Sequence, residues 1–267
     1  MRIAFSTLGC PDWDLETILS RGREYGYDGI EIRGIKREFD LTKVPELTER
    51  VEETRALFER YGLNVACISS SARFSSPDPG VRRANLESAK AHMDIARSLG
   101  APCVRVFGGN IPEGVERERC EDYIAEALKE LGRYAEEVGV KVVLETHDSF
   151  STGKQVAAVL EKTDHPMVGA LWDIHHPVKN GEPPEETIKH LSGKVFHVHV
   201  KDGDFTTYTL LGEGKVPTLQ ILKLLKEDGY DGYLSVEWEK AWKPELHDPE
   251  VALPQYAAKL REYLSQL

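Results

Sequence analysis

The segment EEVGVKVVLE, residues 136–145, joins the end of an amphipathic helix, a glycine and a short β-branched run. The glycine suits the left-handed backbone position that follows many helix ends. The same order recurs in REYGYDGIEI, ERYGLNVACIS, RSLGAPCVRVF and KEDGYDGYLSVE, at residues 23–32, 59–69, 97–107 and 226–237. A helix that repeatedly leads into a strand predicts a parallel sheet with right-handed crossovers.

Apolar, β-branched runs predict eight strands along the chain. They lie at about 2–6, 28–33, 64–69, 102–107, 140–146, 168–173, 194–201 and 232–238. Helical periodicity is clearest at 83–99 and 117–138. Eight such units predict an α/β fold, a single (β/α)8 TIM barrel. An open doubly wound sheet is the alternative, but the phosphate-binding turn G-x-G-x-x-G is missing after the first strand.

Charge and cysteine usage restrict the partners. The 267 residues include 34 Lys+Arg and 45 Asp+Glu, which gives a net charge of −11. This balance argues against nucleic acid as a partner, because phosphate binding needs clustered basic residues. No apolar run approaches the ~20 residues that cross a membrane, and the four cysteines lack C-x-x-C spacing. We expect a cytoplasmic protein with no membrane partner, and a homo-oligomer remains an option.

Four consecutive strand ends carry side chains that bind metals. The fifth to eighth strands end VVLETH, LWDIHH, FHVHVKD and LSVEWE, and they supply Glu145, Asp173, His199 and Glu237. Strand alternation and barrel geometry predict that these groups converge at the C-terminal end, where TIM barrels place their active sites. A buried carboxylate without a partner costs about 3–5 kcal/mol. The pattern therefore predicts one divalent cation, with Mn²⁺ favoured and Mg²⁺, Co²⁺ or Zn²⁺ as alternatives.

Motifs in a fixed order give the chain a family resemblance. They are ETH at 145–147, D-x-x-H at 173–176, HVKD at 199–202, GEG at 212–214 and GYDGYLSVE at 229–237. With them the chain resembles the xylose isomerase-like TIM barrel superfamily, and within it sugar phosphate isomerase/epimerase proteins similar to D-tagatose/D-psicose 3-epimerases. The resemblance covers nearly the whole chain and implies one domain over residues 1–267.

The resemblance implies a metal-dependent sugar isomerase or epimerase of carbohydrate metabolism. The metal ligands would be Glu145, Asp173, His199 and Glu237. Glu145 and Glu237 would also be the catalytic acid/base pair, removing a proton next to a ketose carbonyl and passing through an enediolate. The expected partner is a small sugar or polyol. Expected substrate-binding residues lie in or near the strand ends: His176, Lys201, His147, Trp13 and Phe107.

Other polar residues near the strand ends are expected to be structural. We predict a buried ion pair between Glu31 and Arg105, and a structural His197 one layer below His199. His175 should point away from the centre. Asp202 and the GEG turn should shape the loop that follows the seventh strand.

Three alternatives remain open at this stage. An inosose-type dehydratase would use the same metal site and expel a hydroxyl group as water. DNA repair of the endonuclease IV type would need three zinc ions and extra histidines, whereas the third and fourth strands end CISSS and RVFGG. Non-catalytic carbohydrate binding is the third alternative.

Overall fold

A closed barrel of eight parallel strands forms the centre of the protein. The computed structural model describes residues 1–267. The barrel strands are β1 (Arg2–Ser6), β2 (Gly29–Ile32), β3 (Asn64–Arg73), β4 (Cys103–Phe107), β5 (Lys141–Glu145), β6 (Val168–Asp173), β7 (Val195–Val200) and β10 (Tyr233–Val236). They follow one another in chain order, and β1 pairs with β10 to close the barrel. The predicted (β/α)8 TIM barrel is confirmed.

Helices and short elements surround these strands. The helices are α1 (Leu15–Glu24), α2 (Pro45–Thr48), α3 (Val51–Tyr61), α4 (Pro79–Leu99), α5 (Arg117–Val138), α6 (Gly153–Thr163), α7 (His175–Lys179), α8 (Pro184–Leu191), α9 (Thr218–Glu227) and α10 (Pro249–Leu264). Short 3-10 helices span Thr7–Gly9 and Leu41–Lys43, and β8 (Asp202–Gly203) pairs with β9 (Tyr208–Thr209) as a separate antiparallel sheet. None of the helices has the length and apolar character needed to span a bilayer.

The long helices begin and end where local chemistry favours it. The helix predicted over 117–138 coincides with α5. The helix predicted over 83–99 begins earlier, at Pro79, where the Asp78 side chain accepts the backbone N–H of Gly80. Gly100 and Gly139 end these two helices with φ of 72° and 71°, so the glycines take the left-handed position expected from the repeated motif.

The inside of the barrel is layered, and the layers determine where charge can be placed. Cys67, Cys103, Val143 and Leu171 form a small buried apolar cluster. Two residues further along β5 and β6, on the same inward side, are Glu145 and Asp173. The apolar cluster therefore lies below the charged strand ends, which are at the C-terminal end of the barrel.

A buried aspartate organises the loop after β7. Asp202 is fully buried, and its Oδ1 accepts the backbone N–H groups of Gly203 at 2.8 Å and Val216 at 3.1 Å. Its Oδ2 accepts those of Gly212 at 2.9 Å and Gly214 at 3.1 Å. One carboxylate thus satisfies four N–H donors, which confirms that Asp202 and the GEG turn shape this loop.

Replacing Asp202 should destabilise the whole protein. Asp202→Ala leaves four N–H donors without an acceptor, so we expect the free energy of unfolding to fall by about 3 kcal/mol or more. Urea denaturation followed by circular dichroism measures this change. Asp202→Asn keeps one acceptor oxygen and should cost less. The exposed Asp231→Ala is the control, and an equal effect of Asp202→Ala and Asp231→Ala would contradict the assigned role.

Candidate functional site

The four predicted ligands meet at the C-terminal end of the barrel. Glu145 ends β5, Asp173 ends β6, His199 lies in β7 and Glu237 follows β10. A potential ligand atom from each lies within 4.8 Å of the others. All four residues are buried, and Glu237 is the most exposed at 6%. We call these four residues the carboxylate–histidine cluster.

Each carboxylate of the cluster has one oxygen held by the protein. Glu145 Oε2 accepts from Arg105 Nη1 at 3.0 Å, and Glu237 Oε2 accepts from Lys201 Nζ at 2.6 Å. Asp173 Oδ1 accepts the backbone N–H of His175 at 2.9 Å. The second oxygens of Glu145 and Glu237 lie beside His199 in the interior of the cluster, and Asp173 Oδ2 lies between the cluster and Lys201. This arrangement fixes the three carboxylates without using all of their acceptors.

His199 presents one ring nitrogen to the cluster. Its Nε2 lies 2.9 and 3.0 Å from the two carboxylate oxygens of Glu31. Its Nδ1 lies 3.4 Å from Glu145 Oε1 and 3.3 Å from Glu237 Oε1. Because Glu31 occupies Nε2, Nδ1 is the nitrogen that a metal would use, with Glu31 orienting the ring from behind.

The predicted ion pair between Glu31 and Arg105 is wrong. Glu31 is held by His199, by His197 Nε2 at 2.8 Å and by the Ser69 hydroxyl, which donates at 2.7 Å. Arg105 instead donates to Glu145 on the neighbouring strand. His197 is 1% exposed and lies against Glu31, as expected for a structural histidine. The buried charges are paired, but in a different combination from the predicted one.

Lys201 places a positive charge beside the cluster. Its Nζ lies 2.7 Å from Asp173 Oδ2, 2.6 Å from Glu237 Oε2 and 2.8 Å from Glu239 Oε1. Burial acts to lower the pKa of Lys201, but Asp173, Glu237 and Glu239 outweigh it and hold that pKa well above its ordinary value. The side chain is therefore charged, and its three carboxylate contacts fix it in place.

Donor atoms left over in the cluster fit a divalent cation. Glu145 Oε1 and His199 Nδ1 are buried and make no hydrogen bond, which is rare for buried polar atoms. Asp173 Oδ2 lies beside them and is paired with the Lys201 ammonium at 2.7 Å. Burial, with Glu237 and Glu145 nearby, raises the pKa of Asp173 to about 6 despite Lys201. Carboxylate oxygens and an imidazole nitrogen are ligands of Mn²⁺, Mg²⁺, Co²⁺ and Zn²⁺.

The two histidines after β6 differ in their surroundings. The His175 ring packs on Phe205 and Tyr208, with centroids 5.5 and 5.3 Å away. Burial lowers the pKa of His175 to about 3, so it is neutral and lies apart from the four ligands, as expected. His176 Nε2 lies 3.6 Å from Asp173 Oδ2 and makes no hydrogen bond. His176 therefore has a free nitrogen beside the cluster.

A cavity of about 330 Å³ opens over the cluster, and we call it the mouth cavity. Phe107 and His147, two predicted substrate-binding residues, line it together with Trp242. The rings of Phe107 and His147 lie 4.8 Å apart. Trp13 does not line this cavity and packs against the hydrophobic core. Of these three predicted residues, Phe107 and His147 are therefore available to a ligand in the cavity, and Trp13 is not.

Charged residues to which the sequence assigned no functional role also line the mouth cavity. They are Arg33, Arg73, Asp148 and Glu239. Arg73 is the last residue of β3, which runs beyond the predicted end at residue 69. If the strand had been predicted to extend to residue 73, the alternation of inward and outward side chains would have placed Arg73 at the mouth.

A larger cavity of about 480 Å³ lies at the other, N-terminal end of the strands. Tyr230, Tyr233 and Phe196 are among its lining residues, and His197 is the one lining residue that contacts the network around Glu31. It contains none of the four cluster residues. We assign the functional site to the smaller mouth cavity, because the buried donor atoms without partners lie below it.

Similar proteins of known function are epimerases and dehydratases. Fructoselysine 3-epimerase of Escherichia coli O157:H7 is 26% identical over 279 aligned positions, which cover 100% of this chain and 99% of that protein. Inosose dehydratase of Clostridium beijerinckii is 29% identical over 212 positions, which cover 66% of this chain and 68% of that protein.

Solved structures share the fold over the full chain. The IolI protein with a bound zinc atom superposes with a TM-score of 0.84 at 22% identity, covering 100% of this chain and 99% of that one. A D-tagatose 3-epimerase-like protein has a TM-score of 0.80 at 24% identity, covering 100% and 98%. A family profile described as xylose isomerase-like TIM barrel matches residues 19–265. This match spans most of the chain, and the protein therefore belongs to the xylose isomerase-like TIM barrel family.

Proposed function

We propose that this protein is a divalent-metal-dependent sugar isomerase or epimerase. The observation that carries the proposal is the convergence of buried donor atoms: Glu145 Oε1 and His199 Nδ1 make no hydrogen bond, and Asp173 Oδ2 beside them pairs with Lys201. The relation to fructoselysine 3-epimerase over the whole chain supports this class of reaction. A small sugar or polyol is the proposed substrate.

The carboxylate–histidine cluster would hold one divalent cation, with Mn²⁺ favoured. Its ligands would be Glu145, Asp173, His199 through Nδ1, and Glu237. When bound, such an ion acts as a Lewis acid that polarises a carbonyl and acidifies the neighbouring C–H. Arg105, Lys201 and Glu31 position the ligands from outside the cluster.

Glu145 and Glu237 are suited to move the proton. They come from β5 and from the end of β10, and His199 on β7 lies within 3.4 Å of both carboxylates. One glutamate removes the proton next to the carbonyl, and the other returns a proton to the opposite face of the carbon, which inverts it. Return of the proton to the adjacent carbon gives isomerisation instead.

The partners of these glutamates keep them ionised. Burial acts to raise the pKa of Glu145, but the charges of Arg105 and of a protonated His199 outweigh it and lower that pKa. A metal ion bound to His199 Nδ1 would replace that proton and act on Glu145 in the same direction. For Glu237, His199 and Lys201 outweigh burial and hold the pKa well below its ordinary value. Both carboxylates are therefore deprotonated in the resting protein at neutral pH, which is the state required of the base. The glutamate that returns a proton must first take one up from solvent.

Residues at and beside the mouth cavity would orient the substrate above Glu145 and Glu237. His176 has a free Nε2 beside Asp173, and His147 and Phe107 line the mouth cavity. We propose that His176 and His147 bind substrate oxygens and that Phe107 packs against the C–H face of the sugar. Lys201 would act on the substrate only through its contacts with Asp173 and Glu237.

Dehydration of a polyol-derived ketone is the second candidate. The 29% identity to inosose dehydratase over two thirds of the chain favours it. The same glutamate pair could remove the proton next to a carbonyl and protonate a departing hydroxyl. Mass spectrometry of the products separates the two reactions, because epimerisation conserves mass and dehydration loses one water.

Replacing either glutamate with glutamine should strongly slow proton transfer. We expect Glu145→Gln and Glu237→Gln each to lower kcat by about 10²–10⁴-fold, because the amide cannot accept the proton. Exchange of the ketose α-proton in D₂O, followed by NMR over a panel of ketoses, measures this step. Glu126→Gln, on the exposed face of α5, is the matched control. Exchange within threefold of the unsubstituted enzyme in both variants would rule out the acid/base pair.

Metal binding should stabilise the fold. With Mn²⁺ at about 100 times its Kd, the melting temperature should rise by roughly 5 °C or more over that of EDTA-treated protein. Asp173→Asn should remove most of the rise, because it removes a buried ligand charge. Differential scanning calorimetry and metal analysis per chain provide the measurement, with Asp231→Asn as control. Equal melting temperatures with and without saturating Mn²⁺ would contradict metal binding.

A further inference from the structure

We propose that the substrate carries an anionic group, a carboxylate or a phosphate, and that Arg33 and Arg73 bind this group across the mouth cavity from the carboxylate–histidine cluster. The inference rests on the proposed function and adds a substrate class to it. The enzyme would then select acidic or phosphorylated ketoses over neutral ones.

The two halves of the barrel mouth have opposite chemistry. Arg33 follows β2, Arg73 ends β3 and Arg105 lies in β4, and these three strands are neighbours in the barrel. All three arginines line the mouth cavity. The cluster comes from β5, β6, β7 and the end of β10, which form the other half. A ligand that spans the cavity therefore meets carboxylates at one end and guanidinium groups at the other.

The other charged groups of this cavity already have partners in the protein. Arg105 pairs with Glu145, Asp148 lies 3.0 Å from His147 Nδ1, and Glu239 pairs with Lys201. Neither Arg33 nor Arg73 has a carboxylate oxygen within 4.0 Å. The chain has 45 acidic residues against 34 basic ones, so a buried arginine without a close carboxylate, such as Arg33, is unexpected unless a ligand supplies the negative charge.

Of the two arginines, Arg33 provides the stronger evidence because it is buried. It is 8% exposed, and the only hydrogen bonds of its side chain go to neutral acceptors, the Ser71 hydroxyl at 2.8 Å and the Phe39 carbonyl at 3.4 Å. Glu237, Glu145 and Glu31 act on its charge only from a distance, and a buried cation without a close counter-charge is costly. Burial and Arg105 lower the pKa of Arg33 to about 10, so it still carries its charge at neutral pH.

The geometry of a guanidinium group defines the chemistry it would recognise. Its planar set of N–H donors fits two oxygens of a carboxylate or phosphate at once. Ser71 and Phe39 hold Arg33 through Nη2 and Nη1, and the donors that remain are available to a ligand in the cavity. Arg73, on the exposed rim, would add a second positive charge. The cavity of about 330 Å³ is small for a ligand site, which restricts the occupant to one modest sugar derivative.

Binding measurements on the metal-loaded, full-length protein test this inference without requiring turnover. The probes are ketohexoses in matched neutral, 6-phosphate and uronate forms, titrated calorimetrically. We expect at least one charged form to bind at least tenfold more tightly than its neutral parent. The phosphate and uronate arms show which anion the site prefers. Tightest binding of the neutral forms, or no binding of any charged form, would overturn the proposal.

Variants connect the preference to the two arginines. Arg33→Gln and Arg73→Gln should each weaken binding of the charged ligand at least fivefold and change that of the neutral ketose less than twofold. If Arg33→Gln fails to fold, Arg33→Lys and Arg73→Gln test the proposal instead. Arg33→Lys retains the positive charge but lacks the planar guanidinium group that binds two oxygens at once. Arg133→Gln, exposed on α5, is the control. Equal weakening of charged and neutral ligands would make the arginines structural.

The proposed function and this inference fail in different ways. If the function is wrong, the unsubstituted protein catalyses no α-proton exchange with any ketose of the panel. If only the inference is wrong, exchange is lost in Glu145→Gln and Glu237→Gln while neutral ketoses bind as well as charged ones.

Discussion

Three carboxylates and an imidazole share one buried space at the end of this barrel, and the site depends on how their charge is compensated. Each carboxylate gives one oxygen to a fixed protein donor: Arg105, Lys201 or the backbone N–H of His175. Glu31 takes the outer nitrogen of His199. Of the inner atoms, Glu145 Oε1 and His199 Nδ1 have no hydrogen-bond partner in the chain, and Asp173 Oδ2 has the ion pair with Lys201. A divalent cation is the species that would satisfy all of them together.

The fold was predictable because its signals are local and repeated. Gly100 and Gly139 end two long helices and lead into strands, and this recurrence is enough to predict the alternation of a (β/α)8 barrel. The four cluster residues were predictable for a related reason. Side chains alternate along a strand with a period of two, so Glu145 and His199 could be oriented from their apolar neighbours alone.

The network around the cluster depends on long-range geometry that the sequence does not display. Arg105 could reach either Glu31 or Glu145, and the choice depends on how neighbouring strands are offset. The register between β2 and β3 shifts at Ile30/Glu31, and Glu31 contacts His197 and His199 across the barrel interior. The position of Arg73 at the mouth was not predicted because β3 continues past its apolar segment. Such details arise from closure of the barrel and not from any local pattern.

Relatives with this barrel include both epimerases and dehydratases, so the fold alone does not select a reaction. Under the proposals made above, the cluster would carry out the chemistry next to a carbonyl, and the arginine side of the mouth would determine substrate choice. These two functions lie on different strands of one scaffold. Substrate preference could therefore change at β2 to β4 while the chemistry at β5 to β10 is retained.

The most direct test of the cluster is anomalous diffraction from a crystal soaked in Mn²⁺. The account predicts one strong manganese peak per chain, bounded by Glu145, Asp173, Nδ1 of His199 and Glu237. A map without a peak there at saturating Mn²⁺, or a peak coordinated through other residues, would contradict it.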